Sequence, residues 1–139
     1  MLELCRFPAQ RFQSDPERGF SIVLENDSAV LKWFKPGRGD FQFDYHQDES
    51  HEPDFVVETK RAKFICEPKA SNEMTDRTVL DKAEAAAVWC EHATKHEHLY
   101  GGKPWSYLLI PHDAITETRT LQGLSAAYTS RAPTGVSAK

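Results

Sequence analysis

The apolar positions of this chain fall into patches whose period changes along its length. Phe20, Val23 and Leu24 recur at helical spacing. Ahead of them Ser14-x-x-Glu17 forms a capping box, with Pro16 suited to a first helical turn. A helix running to about Asn26 is predicted. Ala29–Phe34 reads as a strand, and Pro36-Gly37-Arg38-Gly39 as a turn. In Phe41–His46 the period becomes two, with Phe41, Phe43 and Tyr45 on one face and Gln42, Asp44 and His46 on the other. Gln47–Glu52 reads as an acidic loop.

Two short runs, Phe55–Val57 and Phe64–Cys66, flank a polar link at Thr59–Lys63. Such runs, rich in Val, Ile and Phe, predict a hairpin. The link lacks Asn-Gly, which leaves the turn type open. Ala70–Thr75 is a linker. Val79, Ala83, Ala86, Cys90 and Ala93 recur at helical spacing within about Asp76–Glu97, giving a long helix with a narrow face of small residues, extended by Trp89. Leu99–Lys103 is a Gly-rich turn. Trp105–Ile110 is continuously apolar and reads as a strand covered on both faces. Lying parallel to the Glu67 strand, it would close a right-handed crossover. Thr118–Tyr128 predicts a short helix burying Leu121 and Leu124. The order of elements is that of an α/β domain over residues 14–128. Residues 1–13 form a lead-in anchored by Phe7 and Phe12, and residues 129–139 a flexible polar tail.

Length and charge narrow the picture. A chain of 139 residues makes one domain with one core. Its net charge of −4 argues against a basic coat for nucleic acid. Contact with DNA would need local clusters: Lys32, Lys35 and Arg38, or Lys60, Arg61 and Lys63. Solvated loop charge accounts for either cluster alone. The three cysteines, Cys5, Cys66 and Cys90, have no paired spacing and fit free thiols in a reducing cytoplasm. No apolar run approaches the length of a membrane span, and there is no Walker-type phosphate loop.

The candidate chemistry lies in the hairpin. A register pairing Thr59 with Ala62 sets Asp54 directly opposite Glu67, and strand alternation puts Lys69 on the face of Glu67. A slip of one residue would set Asp54 against Pro68 instead. Two carboxylates that close resist joint ionisation unless a cation lies between them. Hard Mg²⁺ prefers such oxygen ligands, and Lys69 beside it could orient a water or offset charge on a phosphate. Pro68 removes a ladder donor and belongs at an edge, a bulge or a strand end. Asp44 reads as a solvent-facing acid. His92 and His96 stand one helical turn apart, but they close a helix where basic residues suit the dipole, and no third ligand converges to make a zinc site.

Pro53-Asp54, twelve residues, then Glu67-x-Lys69 resembles the signature of the PD-(D/E)xK nuclease superfamily. Ser14-Asp15-Pro16-Glu17-Arg18-x-Phe20, Val30–Trp33 and Phe41–Tyr45 resemble the approach to this motif in type III restriction enzymes. Lys82-Ala83-Glu84-Ala85-Ala86-x-x-Trp89-Cys90 and Gly101-Gly102-Lys103-Pro104-Trp105 through Pro111 resemble the segments that follow it. The resemblance covers about residues 11–125 and is to the C-terminal nuclease domain of the restriction subunit, without its helicase motor. It implies a restriction-endonuclease-like core, αβββαβ with an extra strand, whose mixed central sheet is flanked by helices. It implies a cytoplasmic, Mg²⁺-dependent DNA endonuclease, with Mn²⁺ as a substitute ion. Asp54, Glu67 and Lys69 would be catalytic. Asp54, Glu67 and the backbone carbonyl of Pro68 would hold the metal. Glu17 and Lys82 are additional candidates, against their readings as a capping-box residue and a surface lysine. The implied partners are DNA, a helicase or translocase domain and a modification subunit, with no membrane. Two alternatives stand beside this: another nuclease of the same superfamily acting in repair or recombination, and a non-catalytic DNA-binding or docking module, which Pro68 favours.

Overall fold

A computed structural model describes residues 15–36, 43–46, 49–51, 53–116 and 118–131. The lead-in with Phe7 and Phe12, the capping residue Ser14, turn residues 37–39, Phe41 and residues 132–139 lie outside the described residues, as do the side chains of Asp44 and His46.

The first helix, α1, spans Asp15–Asn26, with Asp15 and Glu17 in its first turn, where carboxylates suit the helix dipole. Strands β1 (Val30–Phe34), β2 (Phe43–His46), β3 (Glu49–His51), β4 (Phe55–Thr59) and β5 (Lys63–Lys69) follow. The long helix α2 covers Arg77–His98, β6 covers Trp105–Pro111, α3 covers Leu121–Tyr128 and β7 is the pair Thr129–Ser130. Asp76 caps α2 by accepting from the Val79 N–H at 3.2 Å.

The main sheet is mixed and five-stranded, in the order β1-β4-β5-β6-β7. Only β5 and β6 pair in parallel, and α2 makes the connection that parallel neighbours require. Along the chain this sheet and its first two helices read α1-β1-β4-β5-α2-β6. Phe20, Val23 and Leu24 of α1 and Leu121 and Leu124 of α3 pack with Trp33, Phe55, Val57, Phe64, Cys66, Leu108 and Ile110 on one face. Ala83, Ala86 and Cys90 of α2 pack on Ile65, Tyr107 and Leu109 on the other. Small residues on α2 let the helix lie close to the sheet. Burial pushes the free thiols of Cys66 and Cys90 up, Cys90 to about 12, so both behave as small apolar side chains.

The sequence reading needs three corrections. Gln47–Glu52 is not simply a loop: it contains β3, which folds back on β2 with Phe43 paired to His51. A strand with so short a link behind it finds its partner locally, at small entropic cost. β2 therefore pairs with β3 in a separate two-stranded sheet rather than in the main one. There β1 pairs with β4 directly, Trp33 against Val57 and Phe34 against Val56. The tail does not begin at residue 129 either, because Thr129 and Ser130 pair with Leu108 and Tyr107 and cover the outer edge of β6.

Asp27 joins the two ends of the α1–α3 layer. Its Oδ1 accepts from the Ala29 N–H at 2.9 Å and its Oδ2 from the Leu121 N–H at 2.8 Å, an otherwise unpartnered amide of the first turn of α3. Asp27→Ala is expected to cost about 1–2 kcal/mol, read as a lower urea midpoint with an unchanged slope. A midpoint equal to wild type would show that the carboxylate holds nothing.

Candidate active site

The hairpin register sets the site. Phe55 pairs with Cys66, Val56 with Ile65, Val57 with Phe64 and Glu58 with Lys63, and the Thr59 N–H donates to the Ala62 carbonyl at 2.9 Å. Continuing that register brings Asp54 opposite Glu67 and Pro53 opposite Pro68. The turn closes without any positive-φ residue outside glycine among the described residues, so it is not type I′. The Thr59 hydroxyl holds it instead, accepting from the N–H groups of Arg61 and Ala62 at 3.3 and 3.1 Å.

Pro68 stands inside the central strand, a place proline usually avoids. The ladder explains how. Lys63 donates its N–H to Pro104, just before β6, at 2.8 Å, so odd-numbered residues of β5 turn their backbone groups toward β6. Even-numbered ones, Pro68 among them, face β4. But β4 begins only at Phe55, and the residue across from Pro68 is Pro53, which also lacks an N–H. Proline at 68 forfeits no bond to β6, and its carbonyl is on the side where β4 has ended.

Charge gathers at this opening. Glu67 is buried at 1% exposure, and the Tyr107 hydroxyl donates to its Oε1 at 2.6 Å. Asp54 is half-buried just ahead of β4. Burial, then the negative charges of Glu67 and Glu17, push its carboxyl from 3.8 up to about 7, against the pull of Lys35 and Lys69. Asp54, Glu67, Glu17 and Lys69 are thus electrostatic neighbours, as the sequence expects. Glu17 is buried on α1 and accepts from Lys35 Nζ at 2.7 Å. Lys82 stands half-buried on α2, whereas the cations lowering Asp54 are Lys35 and Lys69.

Two residues of this corner were not singled out from sequence. From sequence Lys35 belongs to a local basic cluster, and Tyr107 to a continuous apolar strand. A tyrosine in a strand covered on both faces needs a partner for its hydroxyl, which is a signal the sequence does carry. Burial, followed by the charge of Glu67, pushes the Tyr107 phenol up, so it stays a donor.

The other candidates disperse. Lys32 pairs with Glu58 at 3.4 Å, Lys63 lies over the Trp105 ring and Lys60 and Arg61 are exposed at the turn. Arg38 of the first basic cluster lies outside the described residues. Lys32, Glu58, Lys63 and Trp105 help wall a cleft of about 200 Å³ at the far end of β4 from Asp54. Its charges already pair across the strands, so the neighbouring carboxylates, rather than this cleft, are the stronger candidate for chemistry. His92, His96 and His98 are exposed on α2, with the His96 ring 5.1 Å from that of Tyr100.

No family model matches the chain. No curated protein matches it significantly either. Among the described residues, no three His, Cys, Asp or Glu side chains converge as a ready-made metal cage. A hard divalent ion does not need one: Mg²⁺ keeps several waters and takes one or two carboxylates. A carboxylate that burial and then the charges of Glu67 and Glu17 push up to about 7 is a donor that such an ion suits.

The raised Asp54 makes a pH prediction for the metal-free protein. A folded value near 7 against 3.8 means that its contribution to stability is full below pH 3.8 and is lost as pH rises toward 7. Asp54→Asn removes that loss. In chelator, the melting temperature of Asp54→Asn should gain on wild type progressively from about pH 4 to about 7, then hold a constant lead. A constant difference across this range would mean that neither burial nor the charges of Glu67 and Glu17 raise Asp54.

Proposed function

We propose that this chain is a Mg²⁺-dependent DNA endonuclease domain with a restriction-endonuclease-like core, similar to the nuclease domain of type III restriction enzymes. The observation that carries the reading is burial, then the charge of buried Glu67, raising the half-buried Asp54 just beyond the end of the β4–β5 ladder, with Lys69 two residues on from Glu67 along the same strand face. The element order α1-β1-β4-β5-α2-β6 supports the fold, with the β2–β3 hairpin and β7 as additions.

Asp54 and Glu67 would hold the ion, with the Pro68 carbonyl as a third oxygen. When bound, a divalent ion polarises a phosphate and makes water a better nucleophile at neutral pH. Tyr107 fixes one oxygen of Glu67 and so restricts how its carboxylate turns. Lys69 carries three donors on a flexible stem, suited to positioning the attacking water and offsetting charge on the phosphate. Asp54 must give up its proton to take the ion, so binding should strengthen as pH rises through about 7. The resemblance implies products with 5′-phosphate and 3′-hydroxyl ends. A motor and a modification subunit would bring the domain to its site. No helix among the described residues is long and apolar enough to cross a membrane. Pro68, the residue favouring a non-catalytic module, costs the ladder nothing and keeps its carbonyl, which weakens that alternative.

The test is plasmid cleavage by the chain with Mg²⁺, Mn²⁺ or chelator. Nicking should need the ion. Asp54→Asn and Glu67→Gln should lower it by at least about a hundredfold, and Lys69→Ala should lower it while sparing ion affinity. Ion-independent cutting, or full activity in both carboxylate variants, would refute the reading. Separately, Tyr107→Phe should keep the fold and weaken Mn²⁺ binding by about tenfold, measured by calorimetry. Unchanged affinity would leave Tyr107 a packing residue only.

A further inference from the structure

Two ladders run out at Asp54. In the hairpin the Thr59 N–H donates to the Ala62 carbonyl, so odd-numbered residues of β4 turn their backbone groups to β5 and even-numbered ones to β1. On the β5 side the next rung is Pro53 against Pro68. On the β1 side the last pair is Phe34 with Val56, and continuing that register sets Asp54 opposite Pro36. Pro36 has no N–H to give the Asp54 carbonyl. The donor comes instead from the residue before it. Lys35, whose side chain is only 13% exposed, brings Nζ to 3.4 Å from the Asp54 carbonyl oxygen and 2.7 Å from Glu17 Oε1. Nζ also lies 4.4 Å from the centroid of the Phe55 ring, which Phe20 and Trp33 flank at ring distances of 5.0 and 5.7 Å.

The bond to the carbonyl is long, but its donor is charged and is itself held in place. An ammonium this dry is costly unless well partnered. Glu17 of α1 and the face of Phe55 partner it, so the core fixes where it points. A positive charge beside a cation site repels the ion, so what Lys35 offers such a site is its hold on the backbone. Resting on the reading of Asp54 and Glu67 as the ion's ligands, we infer that Lys35, anchored by Glu17, is a positioning residue: it supplies the donor that Pro36 lacks and so keeps the Asp54 carboxylate opposite Glu67. Glu17 then serves the site as the anchor of a lysine and not as a ligand.

The experiment is calorimetry of Mn²⁺ on the whole chain, stripped with chelator, at about pH 8, above the value near 7 to which Asp54 is raised. Lys35→Met/Glu17→Gln removes one charge of each sign, so the net charge facing the ion is unchanged. It should bind Mn²⁺ at least about tenfold more weakly than wild type. Adding Pro36→Ala restores an N–H opposite Asp54 and brings no charge, and this triple variant should recover most of the loss. Wild-type affinity in the pair variant overturns the inference. So does a loss that Pro36→Ala leaves untouched, which would mark Glu17 as a ligand. Pro36→Ala alone gives a measurement that does not depend on the pair variant folding. Its new amide should exchange slowly with deuterium, followed by NMR, because the Asp54 carbonyl accepts from it, and fast exchange overturns the inference. A wild type that binds no Mn²⁺, or an Asp54→Asn that binds it equally well, overturns the reading of Asp54 and Glu67 as ligands and the inference with it.

Discussion

A single rung without hydrogen-bond donors shapes this molecule. The β4–β5 ladder runs from the Thr59–Ala62 turn up to Phe55 and Cys66, and its next bonded rung would be Pro53 against Pro68. Neither residue has an N–H to give, so the two strands part there. The parting is one-sided. The β6 side of β5 keeps its pairing through Lys69 and Pro111, which holds the C-terminal half of β5 in the sheet while β4 leaves it. What results is an extended strand, Glu67-Pro68-Lys69, anchored along one edge by β6 and running past the end of β4 along the other. An acid at its base and a lysine two residues on are then presented at fixed spacing, on a rigid element rather than on a loop.

The same parting decides the electrostatics. Were the ladder to continue, more chain would cover Asp54 and Glu67, and two buried like charges would be very costly. With the ladder ended, Asp54 is half-buried and Glu67 fully so, and the strain is shared out. Tyr107 gives Glu67 a hydrogen bond. Asp54 holds a proton near neutral pH, and Lys35 neutralises Glu17. Each is a separate answer to the same excess of negative charge, and each comes from a different element: β6, the start of β4, and the end of β1. The site is in that sense a property of the sheet, since none of these groups lies near the others in sequence.

That distinction marks what the sequence could reveal. The Thr59–Ala62 register, with Asp54 facing Glu67, could be reasoned from two apolar runs and a link of fixed length, because the period of a strand leaves few choices once the turn is placed. The approximate bounds of α1 and α2 follow from apolar spacing, with a capping box for α1. The β2–β3 hairpin escaped because Glu49-Ser50-His51 has no apolar alternation at all; it is strand only because β2 pairs with it. Thr129 and Ser130 escaped for the same reason, being two polar residues recruited by an open edge of β6. Lys35 was invisible for a different cause. A lysine after a strand and before Pro-Gly looks solvated, and only the packing of α1 across the sheet brings Glu17 and Phe55 to it.

The distribution of basic residues bears on how such a domain would meet DNA. Several of its cations are already engaged within the fold: Lys35 with Glu17, Lys32 and Lys103 with Glu58, Arg77 with Asp81 and Lys95 with Glu91. The exposed pairs among them are worth little to stability, but each places a carboxylate beside the charge that a phosphate would seek. With a net charge of −4 overall, long-range attraction to a polyanion is weak. On the nuclease reading, such a domain would carry machinery for the chemical step and little grip on its substrate. On that reading affinity and address must come from whatever delivers the DNA, and the domain's own weak hold protects against indiscriminate cutting. The acidity of the chain, which at first argues against a nucleic-acid enzyme, then fits a cutting domain that acts only where a partner has already placed the strand.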